Sequence, residues 1–411
     1  MGGWRRVCPD VRWVMYRPRP ATHTVRCPSL KPMNRAIAEH LRAERLQADV
    51  LRIAELAGAG QLLGRDVNAG EREGVEQIAR ACEQLAAGDV LGARDTMVAL
   101  DLVQLPRLAH TQAMRVLVGA YEAAGDLESC AFILESLLDD SLFDKDTRTL
   151  SGLGVDLFSS YARLGDWDSA AATAQSVLGR LGQDGDTSRE HIELVTALTD
   201  LLVERGDVAG ATELCGRLLP AADACGFPPA CGVAYWTAAV VAFVAGDLPA
   251  ADARARRARR VLSGVLGGDD LRELDLLLVD VLARQGEGPD LLEADEILTA
   301  LEQCETTVTR SDTDRGLVAL RRARMHLGAG QLAQALDVAV QAVARLAADV
   351  TAQLCDACVV LGDTYRLLGM RQSAEDCYLR ASELLLVIAP SNATTNVWRD
   401  LETRMARFAT P

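Results

Sequence analysis

From Thr351 to Val387 the apolar residues fall three and four apart in two runs. The first holds Leu354, Cys358, Leu361, Gly362, Tyr365 and Leu368; the second holds Ala374, Cys377, Tyr378, Ala381, Leu384 and Leu385. That spacing predicts two helices, each with one apolar stripe. Gly369 divides them, and a glycine at such a point supplies the left-handed backbone that closes the first helix. Ala374, five residues on, is small enough to sit where the helices cross. The same interval returns at Gly88/Ala93, Gly165/Ala170, Gly206/Ala211, Gly246/Ala251 and Gly330/Ala335, with looser copies at Gly125/Ala131 and Gly288/Ala294. Successive glycines are 37, 40, 41, 40, 42, 42 and 39 residues apart. A period near forty is the mark of a repeat array. Each helical hairpin then buries its apolar face against its neighbours instead of around one central core.

The run Leu361-Gly362-Asp363-Thr364-Tyr365 with Gly369, Ala374 and Tyr378 resembles the tetratricopeptide (TPR) pattern. Tyr121/Gly125 and Tyr161/Gly165 repeat its Tyr-to-Gly interval of four. The resemblance covers roughly residues 70–388, with a period longer than the family's, so lengthened helices and loops are expected. It implies an all-α, right-handed TPR-like solenoid of about eight helix-turn-helix units over 71–388. The turn near Gln285–Ala294 departs most and predicts a longer, more mobile connection there. Val397, Leu401, Met405 and Phe408 share one face, with Trp398 adjoining, so 391–411 reads as a terminal capping helix.

Composition fits a helical stack, since Ala and Leu dominate and aromatics are 4% of the chain. Charge is uneven. Residues 1–35 carry a net +7 of an overall −15, leaving −22 on the remainder, which disfavours nonspecific contact with nucleic acid or anionic lipid. The basic, Pro-rich, aperiodic segment 1–33 reads as disordered or as an over-long start, with Met15 and Met33 as alternative initiators. Lysine occurs only at Lys31 and Lys145, an Arg-for-Lys bias that points to a high-GC genome and a bacterial cytoplasm. Eleven cysteines scattered on apolar stripes suit a reducing compartment better than a disulfide framework. Ala230–Gly246 is uncharged, but it lies where the repeat requires a buried helix, so no membrane span is expected.

Ala120-Tyr121-Glu122-Ala123-Ala124-Gly125-Asp126-Leu127 and Tyr161-Ala162-Arg163-Leu164-Gly165-Asp166-Trp167 look like the TPR half of actinobacterial regulators. In that group a helix-turn-helix DNA-binding domain of the Xre type precedes the array. The resemblance implies a sensor or adaptor in transcriptional regulation, similar to Gram-positive regulators whose TPR groove senses a signalling peptide. Here 34–70 is short for such a domain. Leu41–Arg45 and Ile53–Gly58 are its helix candidates, and no recognition helix presenting basic residues follows. A DNA reader that dimerises through its array is therefore the second expectation, and a non-switching scaffold the third.

No catalytic, cofactor or metal constellation is visible. Cys355 and Cys358, with Cys377 in the partner helix, lack a fourth ligand for zinc and read as small core residues. His23, His40, His110, His191 and His326 are isolated. Arg254, Arg256, Arg257, Arg259 and Arg260 crowd one second helix and read as a solvated face with local ion pairs. The predicted site is the face of the first helices, which in TPR stacks lines the groove. Counting back from each turn glycine carries the family's groove positions onto Gln112, Arg115, Ser159, Arg163, Glu193, Thr196, Asp200, Trp236, Phe243, Arg324, Asp363 and Arg366. Trp236, Val240 and Phe243 would form an apolar-aromatic patch flanked by Arg163 and Arg324. A peptide or protein segment would dock its apolar side chains there, with arginines holding carboxylates.

Overall fold

The computed structural model describes residues 69–102, 105, 107–140, 147–181, 187–266, 271–305, 311–347, 351–388, 401 and 404–405. Segments 1–33 and 34–68, and Val397, Trp398 and Phe408 of the expected cap, lie outside the described residues. Those described form helices and turns, with no strand among them. The helices are α1 (Ala69–Ala86), α2 (Val90–Ala99), α3 (Arg107–Ala123), α4 (Leu127–Asp140), α5 (Thr147–Leu164), α6 (Trp167–Leu181), α7 (Arg189–Glu204) and α8 (Val208–Cys225). They continue with α9 (Pro228–Ala245), α10 (Leu248–Leu262), α11 (Arg272–Gln285), α12 (Gly288–Glu305), α13 (Asp312–Gly328), α14 (Leu332–Leu346), α15 (Ala352–Leu367) and α16 (Arg371–Val387). Paired in chain order, they are the eight expected hairpins. The chain divides at Gly179/Arg180 into two compact units.

Every hairpin turns on one backbone device. Gly88, Gly125, Gly165, Gly206, Gly246, Gly286, Gly330 and Gly369 all have φ between 72° and 83°, a region only glycine enters cheaply. In seven of these turns the next residue's N–H reaches a carbonyl five residues back, as from Asp207 to Leu202 (2.9 Å) and from Met370 to Tyr365 (2.9 Å). This is a Schellman closure, and it satisfies carbonyls that a helix end leaves orphaned. Where the next residue is Asp, its carboxylate then accepts from the second helix. Asp89 takes Gly92 N–H, Asp126 takes Ser129, Asp166 takes Ser169, Asp207 takes Gly210 and Asp247 takes Ala250, at 2.9–3.1 Å. The Gly-Asp pair thus ends one helix and starts the next. Gln331 and Met370 occupy that place in two later hairpins and give no side-chain cap.

The fifth-residue alanines Ala93, Ala170, Ala211, Ala251, Ala335 and Ala374 are all at 0% exposure. A second register governs bulk at the crossing. Seven residues before the turn glycine and nine after it, the pairs are Ala81/Met97, Val118/Leu134, Phe158/Ala174, Thr199/Cys215, Ala239/Ala255, Ala323/Ala339 and Gly362/Tyr378, all buried. At three of these crossings large stands against small, in Ala81/Met97, Phe158/Ala174 and Gly362/Tyr378, where a Cβ on Gly362 would lie 2.5 Å from the Tyr378 ring. Where both members are Ala, α9/α10 and α13/α14 meet more extensively than α15/α16 does. There Gly232 lies against Leu262 and Gly316 against Leu346, again at one shared register.

Two expectations need correction. The turn at Gln285–Ala294 pivots on Gly286 (φ 73°), not Gly288. Its connection is only two residues, because Gly288, Pro289 and Asp290 are wound into the start of α12. Extra residues lengthen the helix there because its first turn needs no internal donors and tolerates proline. At the other end, Leu401 is buried and Met405 packs against the cluster formed by α13–α16. Among the described residues one helix, α9, is long and apolar enough to cross a membrane, and most of it is buried inside the second unit.

Two substitutions test these devices by chemical denaturation. Asp207→Ala should lower stability by about 1 kcal/mol, whereas Met370→Asp should raise it by roughly 0.5–1 kcal/mol. Gly232→Ala, whose Cβ would sit 2.5 Å from Leu262, should cost about 1–3 kcal/mol through overpacking, much of it relieved when Leu262 is also cut to Ala.

Candidate functional site

The odd-numbered helices pack side by side within each unit: α1 on α3 in the first, and α7, α9, α11, α13 and α15 in sequence in the second. On a helix, positions 13, 9, 6 and 2–3 before the turn glycine share one face. In the second unit that face carries a chain of polar contacts from helix to helix. Thr237 Oγ1 on α9 donates to Asp200 on α7 (2.9 Å). Arg284 on α11 stacks over the Phe243 ring of α9, 4.1 Å from its centroid. Asp280 on α11 faces Arg321 (3.4 Å) and Arg324 (3.7 Å) on α13. Arg324 also pairs with Asp356 on α15.

The ladder ends at Asp363 on α15, which accepts from Tyr378 Oη (2.7 Å) and from Arg404 Nε (2.9 and 3.0 Å). Arg366 lies 3.9 Å from the same carboxylate. Burial, then the hydrogen bond to Asp363 and its charge, pushes the Tyr378 hydroxyl well above its usual range. Asp363 therefore ties the last hairpin to the C-terminal segment.

Not every predicted groove residue belongs here. Trp236 has no exposed surface and is the largest fully buried side chain described, so the Trp236–Val240–Phe243 patch is not a surface. The reason is register. Trp236 stands ten residues before its turn glycine, where Thr196, Leu276, Leu320 and Val359 are buried too. Thr196, 6% exposed, is likewise part of the interior. Val240 and Phe243 remain half-buried on the polar face, next to the exposed Val244. Glu193 pairs with Arg189 one turn earlier (2.7 Å), and Arg189 stacks on Phe227 (4.5 Å).

In the first unit Arg163 on α5 binds Glu122 on α3 (2.8 Å), the same kind of contact between successive first helices. Ser159, Gln112 and Arg115 are half-buried on those helices. Arg163 belongs to a different unit from Phe243, so it is not assigned as a flank of that residue.

Thr237, Asp280, Arg284, Arg321, Asp356 and Arg404 were missed in the sequence. Asp280 and Arg284 carried a usable signal. They lie six and two residues before Gly286, and counting from Gly288 hid them. The crowded arginines of α10 do form local ion pairs: Arg256 with Asp252 and Glu293, Arg257 with Asp223, and Arg259 with Asp275. Cys355, Cys358 and Cys377 sit in or against the apolar cluster of the last hairpins, and burial pushes the Cys355 thiol up to about 12. No group of three or more potential metal ligands occurs among the described residues.

No protein-family profile matches the chain, and no curated protein sequence matches it. Solved structures do. The apo form of RapI is 10% identical over 86% of this chain and 96% of its own, with a TM-score of 0.60. A tetratricopeptide repeat protein from Parabacteroides merdae is 13% identical over 71% and 98%, with a TM-score of 0.44. A Rap protein complexed with Competence and Sporulation Factor is 12% identical over 84% and 99%, with a TM-score of 0.45. At such identities what is shared is fold, and the fold is an all-α, TPR-like solenoid.

Asp363→Ala should remove the anchor of Tyr378 and Arg404 together, lowering stability by about 1–3 kcal/mol in urea unfolding. Limited proteolysis should then cut after Arg404 faster than in the parent chain.

Proposed function

We propose that the first-helix face of the second unit receives a short peptide or an extended segment of a protein partner, so that the chain works as a sensor or adaptor by binding and not by catalysis. The observation that carries this reading is the station formed by Val240, Phe243 and Arg284 beside Arg321 and Arg324. It offers an apolar-aromatic foothold next to two guanidinium groups that face Asp280 at 3.4–3.7 Å, one of them also paired with Asp356. A peptide would seat an apolar side chain against Phe243, and its carboxylates would compete with Asp280 for the arginines. Affinity would come from a few such anchors, with the surrounding contacts excluding water.

The actinobacterial resemblance supplies the context of this reading: a bacterial, cytoplasmic regulator of transcription whose array reports ligand occupancy to a partner. Binding across several hairpins would favour one arrangement of the stack and so change an exposed partner surface. The alternative of a DNA reader that forms a homodimer depends on 34–70, of which 34–68 lie outside the described residues, and no contact on the described face favours it.

Peptides selected from a random displayed library on the purified chain provide the test. Their affinity for Phe243→Ala should fall at least about tenfold, or ~1.4 kcal/mol, with unchanged helical content. Selected peptides that bind Phe243→Ala and Arg324→Ala as tightly as the parent would place the site elsewhere.

A further inference from the structure

The seam between the hairpins α7–α8 and α9–α10 is the tightest described connection between successive hairpins, two residues long. Cys225 is the last residue of α8, Gly226 takes the left-handed conformation (φ 67°), Phe227 is extended, and Pro228-Pro229 start α9. The chain doubles back at once, and Cys231, in the first turns of α9, comes to lie against the end of α8. Its Sγ donates to the carbonyl of Ala222 at 2.7 Å. Ala222 and Cys225 are three apart on α8 and therefore share a face. The Cys231 thiol thus stands beside the helical turn that carries Cys225.

Both thiols are free and partly exposed, as is Cys377, whereas Cys82, Cys130, Cys215, Cys355 and Cys358 are buried. Burial, the Cys225 thiol and the Asp223 carboxylate together push the Cys231 thiol up. Cys231 is therefore assigned the second attack, on a neighbour already activated as a mixed disulfide.

We propose that Cys225 and Cys231 are a modification site, an oxidisable dithiol that closes into a disulfide across the α8–α9 seam. The oxidant is a low-molecular-weight disulfide. The Cys225 thiolate attacks one of its sulfurs, forming a mixed disulfide and expelling one small thiolate. The Cys231 thiolate then attacks Cys225 Sγ, expelling the second small thiolate and forming the Sγ–Sγ bond. The two protons released by the cysteines end on the two departing thiolates, and the small disulfide is reduced to two thiols. The bridge replaces the Cys231 contact with the Ala222 carbonyl and ties the last turn of α8 to the first turns of α9. Since α9 carries Val240 and Phe243, the redox state of this pair sets how freely those residues move relative to α7 and α8. Bridge formation does not depend on whether a peptide binds.

Tryptic cleavage tests it, because the fragment from Leu218 to Arg254 contains Cys225 and Cys231 and no other cysteine. The folded full-length chain is equilibrated with oxidised glutathione, blocked with iodoacetamide and digested without reduction. The fragment should appear two hydrogens lighter and unalkylated, and Cys231→Ser should instead trap a glutathione adduct on Cys225. Three results would each overturn the proposal: a parent fragment carrying two alkyl groups, one carrying two glutathiones, or one of these cysteines bridged to a distant thiol. No ligand enters the assay, so loss of peptide capture in the Phe243 variant and loss of the bridge fail separately.

Discussion

Two helices of a hairpin can lie close only if their side chains share the space at the crossing, and this reciprocity of volume is what the rest of the chain depends on. Gly362 faces the Tyr378 ring, Phe158 is paired in register with Ala174, and Ala81 with Met97. Interiors are packed densely enough that neither an added methylene nor a lost one goes unanswered. The glycine bend fixes where each second helix begins, so the same two registers meet in successive hairpins, and in three of them size is set against size. Because the first helices are held at constant register, their polar positions fall on one shared face. On that face polar side chains reach from helix to helix.

That face gains cohesion from charge as well as from packing. Asp280, Arg321, Arg324 and Asp356 bind three successive first helices, and Asp363 extends the chain of contacts to Arg404. Half-buried pairs of this kind contribute modestly to stability, because desolvation offsets much of their attraction. Their larger effect is to hold the guanidinium groups in place. A ligand meeting them would find the charges already ordered, which lowers the entropy lost on binding.

The fold was largely legible because it rests on local rules. Glycine at a left-handed bend, aspartate as cap and alanine at a crossing can all be read without knowing any long-range contact. The one misread turn shows where that stops. Gly286 and Gly288 are both glycines, and only the conformation of Gly286 tells which one bends the chain. The site was harder to read, because it depends on the rotation of each helix about its axis. Trp236 is one residue from Thr237, yet a step of one turns a side chain by about 100° on a helix, which separates a core position from a polar one. Arg404 could not be assigned from periodicity at all, since its partner Asp363 lies 41 residues away in sequence.

The most direct test of reciprocal packing is a double-mutant cycle at the last hairpin, read by urea denaturation. Gly362→Leu alone should be severely destabilising, and Tyr378→Ala alone should open a cavity. Combined, they recreate the large-then-small order of Phe158 and Ala174 and should recover about 1–3 kcal/mol of the summed loss. Costs that simply add would contradict the account, because the two positions would then not be sharing one space.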